Sequence, residues 1–184
     1  MGPRFVTFAA LFYGSLTVAA VAWAALRGFD LRLAGDSPAL GLALGIMTPL
    51  VTVSLGLLAY RLLPVLRAIA EELAPRLVDG AGRGALVLIS IFSGVGEEVF
   101  FRGAVQQEFG LVVASILFGV VHVGPDRRYL VWTVWAVLAG FLFGALYDVT
   151  GGLLAPILAH AAHNAATLLL WKRSRKGRSA GDPG

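Results

Sequence analysis

GALVLISIFSGVGEEVFFRGAV, residues 84–105, is the stretch that decides the fold. It is apolar for about 22 residues, the length of a membrane-spanning helix. In a bilayer a spanning segment must satisfy its own backbone hydrogen bonds, so it is helical. Yet it carries Glu97, Glu98 and Arg102. Charges at that depth cost several kcal/mol unless they are paired or face a cavity, which makes them functional candidates.

Five more apolar segments flank it, at 5–26, 38–60, 109–123, 129–147 and 151–171. The first is too long for the apolar part of a signal peptide and is expected to be retained as a helix. Residues 61–83 mix Leu62, Leu63, Leu66, Ile69 and Leu73 with Arg67, Glu71, Glu72 and Arg76. That spacing predicts an amphipathic helix on the membrane surface. Gly140 and Gly144 are spaced for close helix packing in lipid. Pro156 is expected to kink the last segment, Asp148 to end a helix, and the Trp residues to pack or to anchor at the interface.

The composition agrees. Of the 184 residues, 58% are hydrophobic and 14% charged, with a mean hydropathy of +0.80. A soluble domain carries about 25% charged residues. The net charge of +4 would suggest nucleic acid in a soluble chain, but here the basic residues gather at segment ends, so no nucleic-acid partner is expected. The absence of Cys excludes disulfides, thiolate metal sites and a Cys nucleophile. The fold expected is all-α: a polytopic transmembrane helix bundle of about six membrane helices plus one amphipathic surface helix. Residues 1–171 form one membrane domain, and 172–184 a basic, disordered cytoplasmic tail. With both termini cytoplasmic, as in a bacterial-type plasma membrane, every Lys and Arg except Arg27, Arg32 and Arg102 falls on the inside.

Helix geometry sorts the buried polar residues. Glu98 and Arg102 are four apart, share a face and can pair. Glu97 is turned about 100° away and points elsewhere. A carboxylate free of that pair suits a general base acting on water. His160 and Asn164 also share a face, and His122 closes the fourth segment one turn after Phe118. Glu97, His122 and His160 can thus meet in one polar pocket. Two readings stay open: a zinc site of Glu97, His122 and His160 with a free position for water, or Glu97 activating water directly with His and Asn holding it. No cofactor is favoured and zinc is possible. The plainer readings are a Glu98–Arg102 pair that staples helices, a Glu97 near water at a helix end, and packing roles for the His residues. His163 is expected to be a packing or supporting residue.

The series Glu97-Glu98-Val-Phe-Phe-Arg102, Phe118-Gly-Val-Val-His122 and His160-Ala-Ala-His163-Asn164, in that order on successive membrane segments, resembles the CPBP intramembrane proteases. These are the CAAX prenyl protease and bacteriocin-processing, or ABI, family. The resemblance spans about residues 84–171 and leaves the first two segments unmatched. It implies an intramembrane endopeptidase. In it Glu97 activates water, His122 and His160 orient that water or bind a metal, Asn164 stabilises the oxyanion, and Glu98 and Arg102 form a structural pair. The implied partners are the lipid bilayer and a membrane-associated peptide or protein, such as a prenylated C-terminus or a leader peptide. The competing expectations are a non-proteolytic scaffold or immunity protein on the same fold, and an ion-coupled transporter, for which the halves show no repeat.

Overall fold

The computed structural model describes residues 3–180. All regular structure among them is helical. The order is α1 (Pro3–Arg27), α2 (Pro38–Leu62), α3 (Pro64–Val78), α4 (Arg83–Phe100), a π-helical turn (Phe101–Val105), α5 (Gln106–Val120), a 3-10 turn (Arg127–Tyr129), α6 (Leu130–Thr150) and α7 (Leu154–Ala180). The chain is an integral membrane protein built as a helix bundle.

Among the described residues, four stretches are long and apolar enough to cross a membrane: Arg4–Arg27, Pro38–Leu62, Arg83–Val120 and Arg127–Thr150. The sequence suggested six segments, and two differences account for the count. First, α4, the π turn and α5 run on as one helical stretch of 38 residues. That stretch is not straight. Gly110 adopts φ 82° and ψ 168°, a backbone open to glycine, and there the chain folds back. The Phe101 and Phe118 rings consequently lie 5.1 Å apart, although a straight helix would separate them by about 25 Å. Second, α7 carries His160, His163 and Asn164, which lower its hydropathy.

Small residues set the packing. α4 is sandwiched between α1 and α7. A Cβ on Gly96 would stand 2.7 Å from Tyr13 of α1, and one on Gly94 2.8 Å from Ala161 of α7. Gly140 of α6 abuts the Ser115 backbone of α5, and Gly144 the Gln106 side chain, so the Gly140–Gly144 spacing is indeed a helix-packing device. The 28–37 loop is tied to the α6–α7 turn, where Asp36 N–H donates to the Thr150 carbonyl (2.9 Å) and Leu153 N–H to that of Arg32 (3.0 Å).

The amphipathic segment is helical as expected. α3 buries Ile69, Ala70, Ala74 and Val78 and exposes Arg67 and Arg76. One expectation is corrected. Pro156 does not kink a helix, because α7 starts at Leu154 and Pro156 falls in its first turn, where the missing N–H has no helical partner to lose. α7 continues to Ala180, into the basic segment 172–184 that the sequence sets apart as a tail. Arg175 holds Asp79 through two bonds of 2.6 and 2.5 Å, and Lys172 donates to the Ala81 carbonyl, which fasten the helix to the end of α3. Residues 181–184 lie outside the described residues. Asp148 does stand near the end of α6, and it accepts from Gln106 Nε2 at 2.8 Å.

Candidate active site

The Glu98 and Arg102 side chains are both 0% exposed, and Arg102 Nε donates to Glu98 Oε2 at 2.8 Å. Two such charges persist in an apolar interior only as a pair. The guanidinium also lies 5.1 Å from the Phe118 ring centre and 6.0 Å from that of Phe101. Its remaining nitrogens have no hydrogen-bond partner, so the aromatic faces are what surrounds that charge.

The other oxygen of Glu98 serves α7. His160 Nδ1 lies 2.8 Å from Glu98 Oε1. A carboxylate only accepts, so Nδ1 carries a proton, and in the neutral form of the ring Nε2 presents a lone pair. The ring is further held by stacking on Phe143 (5.1 Å, 17°) and by the edge of Phe118 (5.9 Å). His122 is fixed by the same logic: Nδ1 lies 2.6 Å from the Phe118 carbonyl, which leaves Nε2 as the acceptor. Phe118 thus touches Arg102, His122 and His160 at once.

Glu97 is turned away from the Arg102 pair. Its Oε2 is buried with no hydrogen-bond partner and stands 3.8 Å from His122 Nε2. That gap is too long for a direct bond, but one water could contact both atoms. Glu97, His122, His160 and Asn164 line a single cavity of about 420 Å³, with Tyr13, Ser93, Thr52, Trp132, Trp135 and Phe143 in its wall. Asn164 Nδ2 donates to Ser93 Oγ at 3.0 Å, which orients the amide and leaves its second N–H free. His163 bonds Thr52 Oγ1 of α2 (2.9 Å), packs near Trp135, and lines both this chamber and a second cavity of about 340 Å³ beside it.

The structure therefore brings Glu97, His122, His160 and Asn164 to one chamber, with Glu98 and Arg102 behind them. Sequence reasoning missed Tyr13, Thr52 and Ser93. Ser93 precedes Glu97 by one helical turn, which was the available signal. Tyr13 and Thr52 come from helices with no motif. Of the Trp residues, Trp132, Trp135 and Trp171 line the chamber, whereas Trp23 donates to Glu108 (3.2 Å).

The zinc reading was tested on the donor set. Both Nε2 atoms are free, as metal ligation requires. However, no group of three or more His, Cys, Asp or Glu among the described residues is disposed to hold one ion. No step below is routed through a metal.

Comparison with known proteins agrees with the motif order. Residues 82–166 match the family model for type II CAAX prenyl endopeptidase Rce1-like proteins. An uncharacterized protein, YpbD of Bacillus subtilis (strain 168), is 31% identical over 75 residues, which cover 41% of this chain and 39% of YpbD. The match thus spans about two fifths of that relative's length. No solved structure matches the chain. The resemblance to the CAAX prenyl proteases is thereby borne out for residues 82–166, the part of the chain that carries all three motifs.

Proposed function

We propose that this protein is an intramembrane endopeptidase that hydrolyses peptide bonds of membrane-associated or lipidated substrates through a glutamate-activated water. The observation that carries the reading is the unpartnered Glu97 Oε2 standing 3.8 Å from the His122 lone pair, inside a chamber shared with His160 and Asn164. The Rce1-like match supports the reaction class.

In this mechanism a water donates one hydrogen to Glu97 and its other hydrogen to the Nε2 acceptor of either His122 or His160. Glu97 takes the proton as the water oxygen attacks the carbonyl carbon. The tetrahedral oxyanion accepts from the free N–H of Asn164. Collapse breaks the C–N bond, and the Glu97 carboxyl returns its proton to the leaving amine. Glu98 fixes the His160 ring, and Arg102 fixes Glu98. Both chain ends are cytoplasmic in this reading, in a bacterial-type inner membrane.

The test is cleavage of quenched-fluorescent peptides, prenylated CAAX sequences among them, by the purified protein in detergent, with and without a strong chelator. Cleavage by wild type that is lost in Glu97→Gln and indifferent to the chelator is expected. Cleavage that persists in a folded Glu97→Gln contradicts the mechanism, and cleavage abolished by the chelator restores a metal.

A further inference from the structure

Tyr13 has a place in the fold that ordinary membrane tyrosines do not. Such residues sit at the membrane–water interface, where the hydroxyl finds water. Tyr13 lies ten residues from Pro3 and fourteen from Arg27, so it is about 15 Å or more from either end of α1. At that depth its hydroxyl must find a protein partner. The acid it meets across the α1–α4 contact is Glu97, whose neighbour Gly96 packs directly on Tyr13. Both line the chamber that holds His122, His160 and Asn164.

The backbone is built to bring them together. Gly96, the residue before Glu97, has the Cβ, Cα and carbonyl oxygen of Tyr13 within 2.7–3.0 Å of where its own Cβ would stand. Only glycine lets α1 approach so closely. The approach sets Tyr13 against the first carboxylate of the Glu97–Glu98 pair rather than the second, which Arg102 and His160 already occupy. Oε2 of Glu97 is left without a hydrogen-bond partner.

We propose that Tyr13 is a positioning residue for Glu97, so that α1, which lies outside the family-matched residues 82–166, completes the reactive centre. The proposal rests on the peptidase reading for its kinetic consequence. The hydroxyl fixes the carboxylate rotamer, turns Oε2 toward His122, and keeps the base from swinging to Arg102. The phenol touches neither water nor substrate in this role, so its loss lowers turnover and leaves substrate binding alone.

Two measurements test it. In the peptide assay, Tyr13→Phe is expected to lower kcat about tenfold to a hundredfold with KM within about twofold. Leu11→Ala, on the outward face of α1 with its side chain 70% exposed, leaves both unchanged. In thermal unfolding, which needs no substrate, Tyr13→Phe is expected to lower the midpoint of the wild type. It should be neutral or raise the midpoint in a Glu97→Leu background, where the hydroxyl has lost its acceptor. An unchanged kcat, or equal midpoint shifts in the two backgrounds, overturns the proposal. Wild type that cleaves no peptide, together with the sign change in unfolding, sinks the peptidase reading and leaves Tyr13 bound to Glu97.

Discussion

Glu97 and Glu98 are neighbours in sequence with opposite fates, and the difference is rotational. About 100° of helix turn points Glu98 at Arg102 and His160 and Glu97 at His122, beside the Gly96–Tyr13 contact with α1. This much was legible from spacing alone, as was the shared chamber. The role of Phe118 was legible only as a motif letter; its ring turns out to pack on Arg102, His122 and His160 together. Removing one member of the buried ion pair leaves the other charged and unpaired. Arg102→Leu is therefore expected to destabilise the protein by about 3–5 kcal/mol, read by unfolding in detergent, and a loss below about 1 kcal/mol would contradict a fully buried pair. Asn164→Ala is expected to lower kcat by about a hundredfold to a thousandfold with KM little changed. An equal rise in KM would instead give Asn164 a role in binding.

At the scale of elements, hydrophobic runs located the long helices to within a few residues, save the C-terminal end of α7, but they carried no information on how α5 folds back on α4. That reversal rests on one glycine, Gly110, whose positive φ is invisible to hydropathy. The C-terminal end of α7 was hidden for a related reason. Its composition is that of a disordered segment, yet tertiary pairs with Asp79 and Ala81 sustain the helix. Gly140→Val would drive a branched side chain into the Ser115 backbone. It is expected to cost about 1–3 kcal/mol and to displace the arm that carries His122, so activity falls with stability. The Arg175 guanidinium holds the Asp79 carboxyl below its ordinary range. The sign follows: a depressed carboxyl stabilises the fold above its unfolded value of about 4 and ceases to do so as the pH falls through the folded one. The difference in unfolding midpoint between wild type and Arg175→Ala should accordingly be present at neutral pH and vanish in acid. A difference that grows in acid would contradict the pairing.

For the molecule as a whole, α1 and α2 belong to no motif, and sequence gave no reason to place them at the site. They reach it because α4 and α7 are walled by them, so that Tyr13 and Thr52 enter the chamber from outside the family-matched region. The orientation in the membrane is tested by labelling. The chain lacks cysteine, so Val123→Cys next to His122 is a unique reporter. Reaction with a membrane-impermeant thiol reagent from the cytoplasmic face is expected; protection there with reaction from the opposite face would invert the topology. The central claim, that Glu97 is the base of a peptidase, is tested most directly by assaying wild type and Glu97→Gln side by side against prenylated and unmodified peptides, with unfolding midpoints recorded for both. The account predicts cleavage by wild type and at least a thousandfold loss in a variant that remains folded. Equal cleavage by the two proteins would contradict it.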